Sequence, residues 1–526
     1  MKKLRIGVID LVAPRPGGSL WSRLMNASFA SVMPQAISVW CEEQGHRVTY
    51  VCYTGSEDLA TCLPGDIDLA FIGAFTEASH LAYALSAYLR SRGAVTALGG
   101  PHARCFPQDA QRYFDYVFGF TDKAVVRGVL EDCSQHRPLG VRVSAAGQPP
   151  TLPGVQERWK FIDNTLRKAP IIKIVPVIGS LGCPYHCSFC IDSTVPYQQL
   201  SFDLLKSDLT FLRGKFRRPL VGWHDPNFGV QFNETMDAIE EAVPPGSIDF
   251  VAESSLSLLT EPHLKRMQRN SFKMLLPGIE SWFALGEKSR TMRITGMQKV
   301  REVSEHVNTL LRYVPLLQTN FVLGLDSDEG EEPFELTKRF VDMAPGAFPG
   351  YSLLTAFGQA APINLEYQRE GRLIPFPFHF LNNNSAMNLK PKNYSWTAFY
   401  DKVISLTEYT HSPRAIGRRA AATRGLTPRW LNFLRAVSSE GYGRIRYFKE
   451  IRKRLDTDMH LRDFFEQRTT VVPRFYIDRI QSELGPMWRW LPAGGTEHDP
   501  YAYLKEEEEK QRLEPRVVQP LQVAAM

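Results

Sequence analysis

The strongest constraint on the fold lies between residues 171 and 360, where short apolar runs alternate with helical stretches. The runs are rich in valine, isoleucine and aromatic residues, as β-strands are. They read IIKIVPVIG, PLVGWHD, IDFVAES, FKMLLPGIE, LLQTNFVLGL and GYSLLTAF. Strands joined through helices lie parallel, so six such units predict a partial (β/α)6 barrel of the TIM type. We therefore expect residues 171–375 to form a barrel domain.

A second alternating pattern occupies residues 1–138 and predicts an α/β doubly wound parallel sheet of the Rossmann-like kind. Its β-rich runs are RIGVID, RVTYVCY, DLAFIGAF, AVTALGG and YVFGF. Such sheets bind ligands beyond the carboxyl ends of their strands. Glycine, proline or polar residues fill the turns there, at 12–19, 73–79, 99–103 and 119–123, and suit a large flat ligand. No GxGxxG follows the first strand, so a dinucleotide is not expected.

The rest of the chain is expected to link or extend these two domains. Residues 139–170 are rich in proline and glycine and predict a linker. Residues 376–504 have mainly helical periodicity and predict a C-terminal helical domain. The charged segment from 505 to 526, with EEEE at 506–509, predicts a solvated or disordered tail.

A cysteine cluster follows the first predicted barrel strand, in the segment LGCPYHCSFC at 181–190. Its members are Cys183, Cys187 and Cys190. The other five cysteines precede residue 140 without ligand-like spacing and are expected to be small buried residues. A closed metal site normally takes four protein ligands. Either the protein supplies a fourth, such as His186 in a zinc site, or the site is left open for a ligand that is not protein.

Polar residues also follow the later barrel strands, at the ends where barrels of this type carry out their chemistry. These residues are Asp225, Asn227, Glu253, Ser254, Glu280, Ser281 and Asp326. We expect them to share one site with the cysteine loop.

The spacing CxxxCxxC, with the aromatic Phe189 before the third cysteine and on the first loop of a barrel, resembles the radical S-adenosylmethionine superfamily. The resemblance implies that Cys183, Cys187 and Cys190 hold a [4Fe-4S] cluster whose fourth iron binds S-adenosylmethionine. It also implies reductive cleavage of that cofactor to a 5′-deoxyadenosyl radical, which removes a hydrogen atom from an unactivated carbon. The cofactors would carry this chemistry, while the protein positions them and excludes water.

The likeness extends, over about residues 1–375, to the cobalamin-binding group of that superfamily, often called class B methylases. The matching segments are GGPHA at 99–103, HDPNF at 224–228 and PGIES at 277–281. By this likeness S-adenosylmethionine is contacted by Asp225, Asn227, Glu253, Glu280 and Ser281. Gly324, in FVLGL, would pass close to the adenine.

The same likeness implies a cobalamin whose corrin lies between the first domain and the mouth of the barrel. The residues expected beside it follow the third and fourth strands: Phe75, Thr76, Gly99, Gly100, Pro101 and His102. No DxHxxG motif is present, so the cobalt is expected to have no histidine ligand from the protein. The turn after the fifth strand, 119–123, differs from the acidic turn usual in the group.

The sequence therefore predicts a cobalamin-dependent radical S-adenosylmethionine methyltransferase that acts on an unactivated carbon of a small-molecule or lipid-like substrate. Its expected redox partner is an electron donor such as flavodoxin or ferredoxin. The same architecture could instead carry out a radical cyclisation or oxidation without methyl transfer. A zinc-holding nucleic-acid-binding protein is the alternative outside this enzyme class.

Charge and hydropathy bear on location and partners. The net charge of +6 over 526 residues does not indicate nucleic acid, and no apolar run has a membrane-spanning length. The first residues lack the pattern of a signal peptide, so a cytoplasmic protein is expected. Residues 411–460 hold 12 Lys or Arg against 4 Asp or Glu, interleaved with aromatic residues. This stretch could be a solvated helix face, or it could contact an anionic substrate or peripherally an anionic membrane.

Overall fold

The computed structural model describes residues 3–12, 30–55, 57–133, 139–169, 172–283 and 294–513. Side chains are described as far as residue 510. Of the predicted turn at 12–19, only Val12 is described. The predicted tail is described only as far as residue 513.

The N-terminal part forms a parallel sheet of six strands in the order β2-β1-β3-β4-β5-β6. The strands are β1 (Arg5–Leu11), β2 (Arg47–Tyr53), β3 (Leu69–Gly73), β4 (Val95–Gly99), β5 (Tyr116–Phe118) and β6 (Val141–Val143). The helices are α1 (Val32–Glu43), α2 (Leu59–Cys62), α3 (Ser79–Ser91), α4 (Pro101–Cys105), α5 (Pro107–Ala110), α6 (Lys123–Glu131) and α7 (Val155–Lys168).

Helices cover both faces of this sheet, because successive strand residues point to opposite sides. Ile6, Val8 and Phe71 belong to a core shared with α1 and α6. Ile9 and Ile72 point the other way, into a core shared with α3 and the barrel. The predicted doubly wound sheet is confirmed.

The segment predicted as a linker, 139–170, is more ordered than its composition suggests. It contains the sixth strand, β6, which pairs parallel with β5, and the amphipathic helix α7. Arg158 of α7 is 1% exposed and donates to the Gln35 side chain of α1 (2.7 Å). The prediction of five strands was therefore one strand short, because this three-residue strand contains an arginine and lies in a segment rich in proline and glycine.

The second sheet is parallel and matches the six predicted barrel strands. The strand order is β7-β10-β11-β12-β14-β15. The short strand β13 follows β12 in the chain and pairs with the later residues of β14. The strands are β7 (Ile174–Val177), β10 (Leu220–Trp223), β11 (Asp249–Ala252), β12 (Phe272–Leu275), β13 (Gly278–Glu280), β14 (Leu316–Leu323) and β15 (Phe348–Leu353). A small antiparallel pair, β8 (Ser180–Leu181) and β9 (Gln198–Gln199), brackets the cysteine loop.

The helical stretches expected between the barrel strands also form. They are α8 (Phe202–Lys215), α9 (Phe232–Ala242), α10 (Glu261–Arg269), α11 (Gly296–Tyr313) and α12 (Glu332–Met343). The fold class, a doubly wound domain followed by a partial (β/α)6 barrel, is confirmed.

The C-terminal region is helical, as predicted. It contains α13 (Ile363–Arg369), α14 (Trp396–Thr410), α15 (Pro413–Ala422), α16 (Leu426–Val437), α17 (Tyr442–Thr457), α18 (Met459–Phe465), α19 (Arg474–Leu484) and α20 (Ala502–Leu513). The described part of the predicted tail is the helix α20, which contacts the first sheet, since Glu506 accepts from Arg142 (2.8 Å) and Gln108 (2.9 Å). None of the described helices combines the length and hydropathy needed to cross a bilayer.

Candidate cofactor site

The cysteine loop leaves β7 at the carboxyl edge of the barrel sheet and returns through β9. Gly182 has φ +67°, and a Cβ there would lie 2.7 Å from the Val195 carbonyl oxygen. Glycine is therefore required for the two sides of the loop to approach each other. The Cys183 N–H donates to the same Val195 carbonyl (3.3 Å), and the Cys190 N–H donates to the Cys187 carbonyl (2.9 Å). These bonds hold together the backbone that carries the three cysteines.

The three thiols have the chemistry of iron–sulfur ligands, because thiolates hold such clusters. Cys183 is 5% exposed, Cys187 and Cys190 are half-buried, and no cysteine of the chain forms a disulfide. Within the described ranges no three thiol, imidazole or carboxylate side chains converge closely enough to ligate one metal ion. The His186 Nδ1 lies 3.2 Å from the Ser193 carbonyl oxygen. That contact makes the imidazole part of the loop's own hydrogen bonding.

Asp225, which follows β10, connects the second barrel strand to the start of the cysteine loop. Its carboxylate accepts from the Gly179 N–H (2.7 Å) and from the Ser180 hydroxyl (2.6 Å). Burial raises the pKa of Asp225 to about 6. Both carboxylate oxygens are engaged within the protein, so the side chain positions the loop, and the predicted contact with S-adenosylmethionine stays a prediction.

Asn227 lies two residues farther along and is 3% exposed. Its Oδ1 accepts from the Ser255 hydroxyl (3.0 Å), whereas its Nδ2 has no hydrogen-bond partner in the described part of the chain. A buried amide donor without a partner costs free energy, about 1–3 kcal/mol, unless a ligand completes it. Glu253 is exposed at the end of β11, and its carbonyl accepts from the Phe228 N–H (2.8 Å).

The turn after β13 has an unusual backbone. Glu280 has φ +65°, a conformation rare outside glycine, and its side chain folds over Gly278. Lys299 of α11 is 1% exposed and donates to the Ser281 carbonyl (2.7 Å). Burial lowers the pKa of Lys299 to about 8, and the Glu280 carboxylate opposes that shift. A strained backbone near a buried amine whose pKa is shifted is a combination found at functional sites.

Gly324, predicted beside the adenine, packs against the C-terminal region. It has φ +89°, and a Cβ there would lie 2.8 Å from the Met387 sulfur and 3.1 Å from the Phe399 ring. Its N–H donates to the Asp328 carboxylate (3.0 Å). Asp326, another predicted site residue, forms a two-pronged ion pair with Arg372 (2.7 Å for each bond). Through these contacts both residues hold the barrel to the C-terminal region.

At the carboxyl edge of the first sheet, the turns after β3 and β4 are hydrogen-bonded to each other. The Ala74 N–H donates to Gly99 and the His102 N–H donates to Ala74, each at 3.1 Å. Gly100 has φ +93°, and a Cβ there would lie 2.9 Å from the Ala74 carbonyl oxygen. The close approach that requires Gly100 is therefore between two turns of the protein itself.

Of the side chains predicted beside a corrin, Phe75 is the one that is exposed at this edge. Phe75 is 51% exposed, whereas Thr76 and His102 are buried. His102 points inward, with its Nε2 2.6 Å from the Tyr83 hydroxyl, and burial lowers its pKa to about 3. Pro101 opens α4 and is half-buried.

Arg104, which no sequence motif indicates, joins the two edges. From α4 its guanidinium donates to the Ile191 carbonyl (2.8 Å) and to the Asp192 carboxylate (3.3 Å), directly after the cysteine loop. It also lies 5.6 Å from the centre of the Phe120 ring. The turn after β4 and the segment that follows the cysteine loop are thus neighbours.

Two solved structures with bound cofactors have a similar fold. TsrM of Kitasatospora setae, a radical S-adenosylmethionine methyltransferase with cobalamin and a [4Fe-4S] cluster bound, is 13% identical with a TM-score of 0.52, covering 70% of this chain and 75% of TsrM. The cobalamin-dependent S-adenosylmethionine radical enzyme OxsB, with aqua-cobalamin bound, is 13% identical with a TM-score of 0.50, covering 93% of this chain and 84% of OxsB. The chain has the fold of the cobalamin-dependent radical S-adenosylmethionine enzymes.

Two curated relatives from Chlorobaculum tepidum share lower sequence identity than would establish a common activity. The bacteriochlorophyllide d C-12(1)-methyltransferase is 22% identical over 282 residues, 52% of this chain and 60% of the relative. The bacteriochlorophyllide d C-8(2)-methyltransferase is 24% identical over 366 residues, 65% of this chain and 77% of the relative. The chain thus spans less than two thirds of the length of the first of these relatives. No protein-family model matches the chain.

Proposed function

We propose that this chain is a cobalamin-dependent radical S-adenosylmethionine methyltransferase that methylates an unactivated carbon of a small molecule. The observation that carries the proposal is the contact through Arg104, which brings the turn after β4 against the cysteine loop. An enzyme that uses two cofactors on one substrate must hold both of them close to that substrate. The meeting of the two strand-end edges supplies that arrangement.

The residues on the barrel edge fit the cluster and S-adenosylmethionine. Cys183, Cys187 and Cys190 would hold the cluster, and the unpartnered Asn227 amide would donate to the bound cofactor. Glu280 on its strained turn would accept from the amino group of S-adenosylmethionine, because a carboxylate complements an ammonium. When bound, the cluster and the two organic cofactors supply the radical and methyl-transfer chemistry.

The residues on the first-sheet edge fit an apolar macrocycle. Phe75 is the exposed aromatic side chain there, and Gly99 and Gly100 are proposed to approach the corrin through their backbone. The imidazole of His102 faces Tyr83 in the interior, which agrees with a cobalt that has no histidine ligand from this turn. Cobalamin is therefore proposed to lie over Phe75, between this edge and the cysteine loop.

The choice of substrate rests on the curated relatives. Their names make bacteriochlorophyllide d the first small molecule to test. An electron donor such as flavodoxin or ferredoxin is proposed as the redox partner, because reductive cleavage of S-adenosylmethionine needs an external electron.

The experiment compares the wild type with a Cys183→Ala, Cys187→Ala, Cys190→Ala variant, both purified without oxygen from a cobalamin-supplied host. The wild type should contain iron and cobalt, convert S-adenosylmethionine to 5′-deoxyadenosine under reduction, and add one methylene unit to the substrate. The variant should lose iron and both activities but keep its cobalt, because the cobalamin residues lie on the other edge.

Three results would contradict the proposal in different ways. A product that has lost hydrogen without gaining carbon would indicate the radical cyclisation or oxidation alternative. Iron retained by the triple variant would remove the cysteine assignment. Zinc in place of iron in the wild type would indicate the alternative of a zinc-holding protein.

A further inference from the structure

Helix α16 presents an apolar stripe to solvent. Leu426, Trp430, Phe433 and Val437 are 74%, 62%, 41% and 37% exposed. Their spacing of four, three and four residues places them on one face of a helix. Five of the eleven strongly exposed large hydrophobic residues in the described chain lie within residues 426–442. We refer to the four side chains of α16 as the α16 stripe.

The opposite face of α16 is anchored in the protein, so the stripe is not the accidental exposure of a loose helix. Arg435 is 6% exposed, stacks 4.0 Å from the centre of the Phe348 ring and donates to Glu440 (2.8 Å). Asn432 is buried and donates to Thr423 (3.2 Å). A helix held in this way keeps its apolar face directed outward, and such a face usually contacts a partner.

The surroundings of the stripe are positively charged. Residues 411–439 contain six arginines and no aspartate or glutamate. Arg419 and Arg435 are buried, and Arg418 pairs with Asp342. Arg424 directly before α16 and Arg429 within it are exposed, and neither is paired with a carboxylate in the part of the chain that the structure describes. The stripe therefore has a rim of uncompensated positive charge.

The stripe lies away from the candidate cofactor site. Arg435 of α16 donates to Gln318, near the start of β14, and Arg419 of α15 donates to the Ala347 carbonyl, directly before β15 (3.2 Å). These positions are at the amino edge of the barrel sheet, whereas the cysteine loop is at the carboxyl edge. A role in holding the reacting part of a substrate is therefore excluded for the α16 stripe.

We propose that the α16 stripe and its arginine rim dock on an anionic phospholipid membrane surface. Aliphatic and aromatic side chains on one helix face, flanked by arginines, match the boundary between acyl chains and negatively charged headgroups. A second copy of this chain is a poorer partner, because two stripes meeting face to face would bring two positive rims together. A nucleic acid would satisfy the arginines but would leave Leu426 and Val437 without an apolar partner. Docked in this way, the carboxyl edge of the barrel faces away from the lipid.

The test measures sedimentation of the purified full chain with vesicles. One preparation is phosphatidylcholine alone, and the other contains about a quarter phosphatidylglycerol. The wild type should bind the anionic vesicles and bind phosphatidylcholine much more weakly. Trp430→Ser with Phe433→Ser should weaken binding roughly tenfold or more, because two large apolar side chains no longer enter the interface. Arg424→Gln with Arg429→Gln should weaken binding mainly at low salt.

Matched controls come from other surfaces. Met459→Ser with Val471→Ser alters residues that are 74% and 62% exposed, and should bind as the wild type does. Arg127→Gln with Arg167→Gln makes the same change in net charge on the first domain and should also bind normally. The measurement needs neither cofactors nor turnover, so its result is independent of the proposed function.

Several outcomes would overturn the proposal. Wild-type affinity in the stripe variant would show that these side chains do not touch lipid. An equal loss of vesicle binding in the control variants would show that the effect comes from general surface properties and not from the stripe. Self-association that requires the stripe, without vesicle binding, would assign it to a second copy of the chain. Binding of single-stranded RNA in place of vesicles would assign it to nucleic acid.

Discussion

Asp225 offers the sharpest test of how the cysteine loop is held, because two substitutions separate its hydrogen bonds from its charge. Asp225→Ala leaves the Gly179 N–H and the Ser180 hydroxyl buried without their acceptor. Each unsatisfied buried donor costs about 1–3 kcal/mol. Asp225→Asn keeps an oxygen for the N–H and offers an amide to the hydroxyl. We expect the loop to open more easily in the alanine variant than in the asparagine variant, by about 2–4 kcal/mol.

The negative charge of Asp225 lowers the stability of the folded state at neutral pH, whereas its hydrogen bonds raise it. Burial raises the pKa of Asp225 from 3.8 to about 6, so the folded state binds the proton more tightly than the unfolded state. The contribution of this group to stability therefore rises as the pH falls from about 7 toward 4. Between about pH 7.5 and pH 5 the gain is roughly 1.4 kcal/mol. Asp225→Asn cannot titrate and should lose that pH dependence.

Hydrogen–deuterium exchange of peptides covering residues 174–190 measures both effects locally, after correction for the pH dependence of intrinsic exchange. The alanine variant should exchange roughly 30- to 1,000-fold faster there than the asparagine variant. Its peptides in the first sheet should be unchanged. Equal protection in the two variants would refute the role given to the carboxylate. A pH dependence that survives in Asp225→Asn would refute the assignment of the titrating group.

Two further predictions concern the first-sheet edge. Burial lowers the pKa of His102 from 6.5 to about 3, so the folded state resists protonation and its contribution to stability is lost as the pH falls below about 6.5. In the wild type, the free energy that protects α4 from hydrogen exchange should fall between about pH 7.5 and pH 5, and in His102→Gln this fall should be smaller by roughly 2 kcal/mol. An equal fall in the two proteins would contradict this prediction. Arg104→Gln should speed hydrogen exchange about 5- to 30-fold in residues 101–105 and 188–195 together, because one side chain joins them. Arg90→Gln, which removes an ion pair to Asp115 elsewhere on the same sheet, is its control, and a change on only one side of the Arg104 contact would argue against a bridge.

Local periodicity and local spacing were enough to predict most of the fold. All six barrel strands overlap the apolar runs read from the sequence, and helices form between them, because both patterns are local features of the sequence. The cysteine loop was also visible, since its spacing is a property of eight consecutive residues. The strand β6 was missed because its three residues include an arginine and lie in a proline- and glycine-rich segment. Its place is decided by the free edge of β5.

Contacts between distant residues could not be predicted in the same way. The sequence marks Gly100 as a position for close approach, but only the tertiary structure shows that the neighbour is the Ala74 backbone. The sequence places Asp225 after a strand, and only the packed sheet turns its carboxylate toward Gly179. Arg104 contacts Asp192, which lies 88 positions farther along the chain, and it belongs to no motif.

The same limit applies to burial. In the arginine-rich segment the sequence shows charge and helical period, whereas the structure decides that Arg419 and Arg435 turn inward and that Trp430 turns outward. Sequence determines what each element can bury, because amphipathicity is local. Which neighbour covers that face depends on chain segments far away, and only the tertiary structure brings them together.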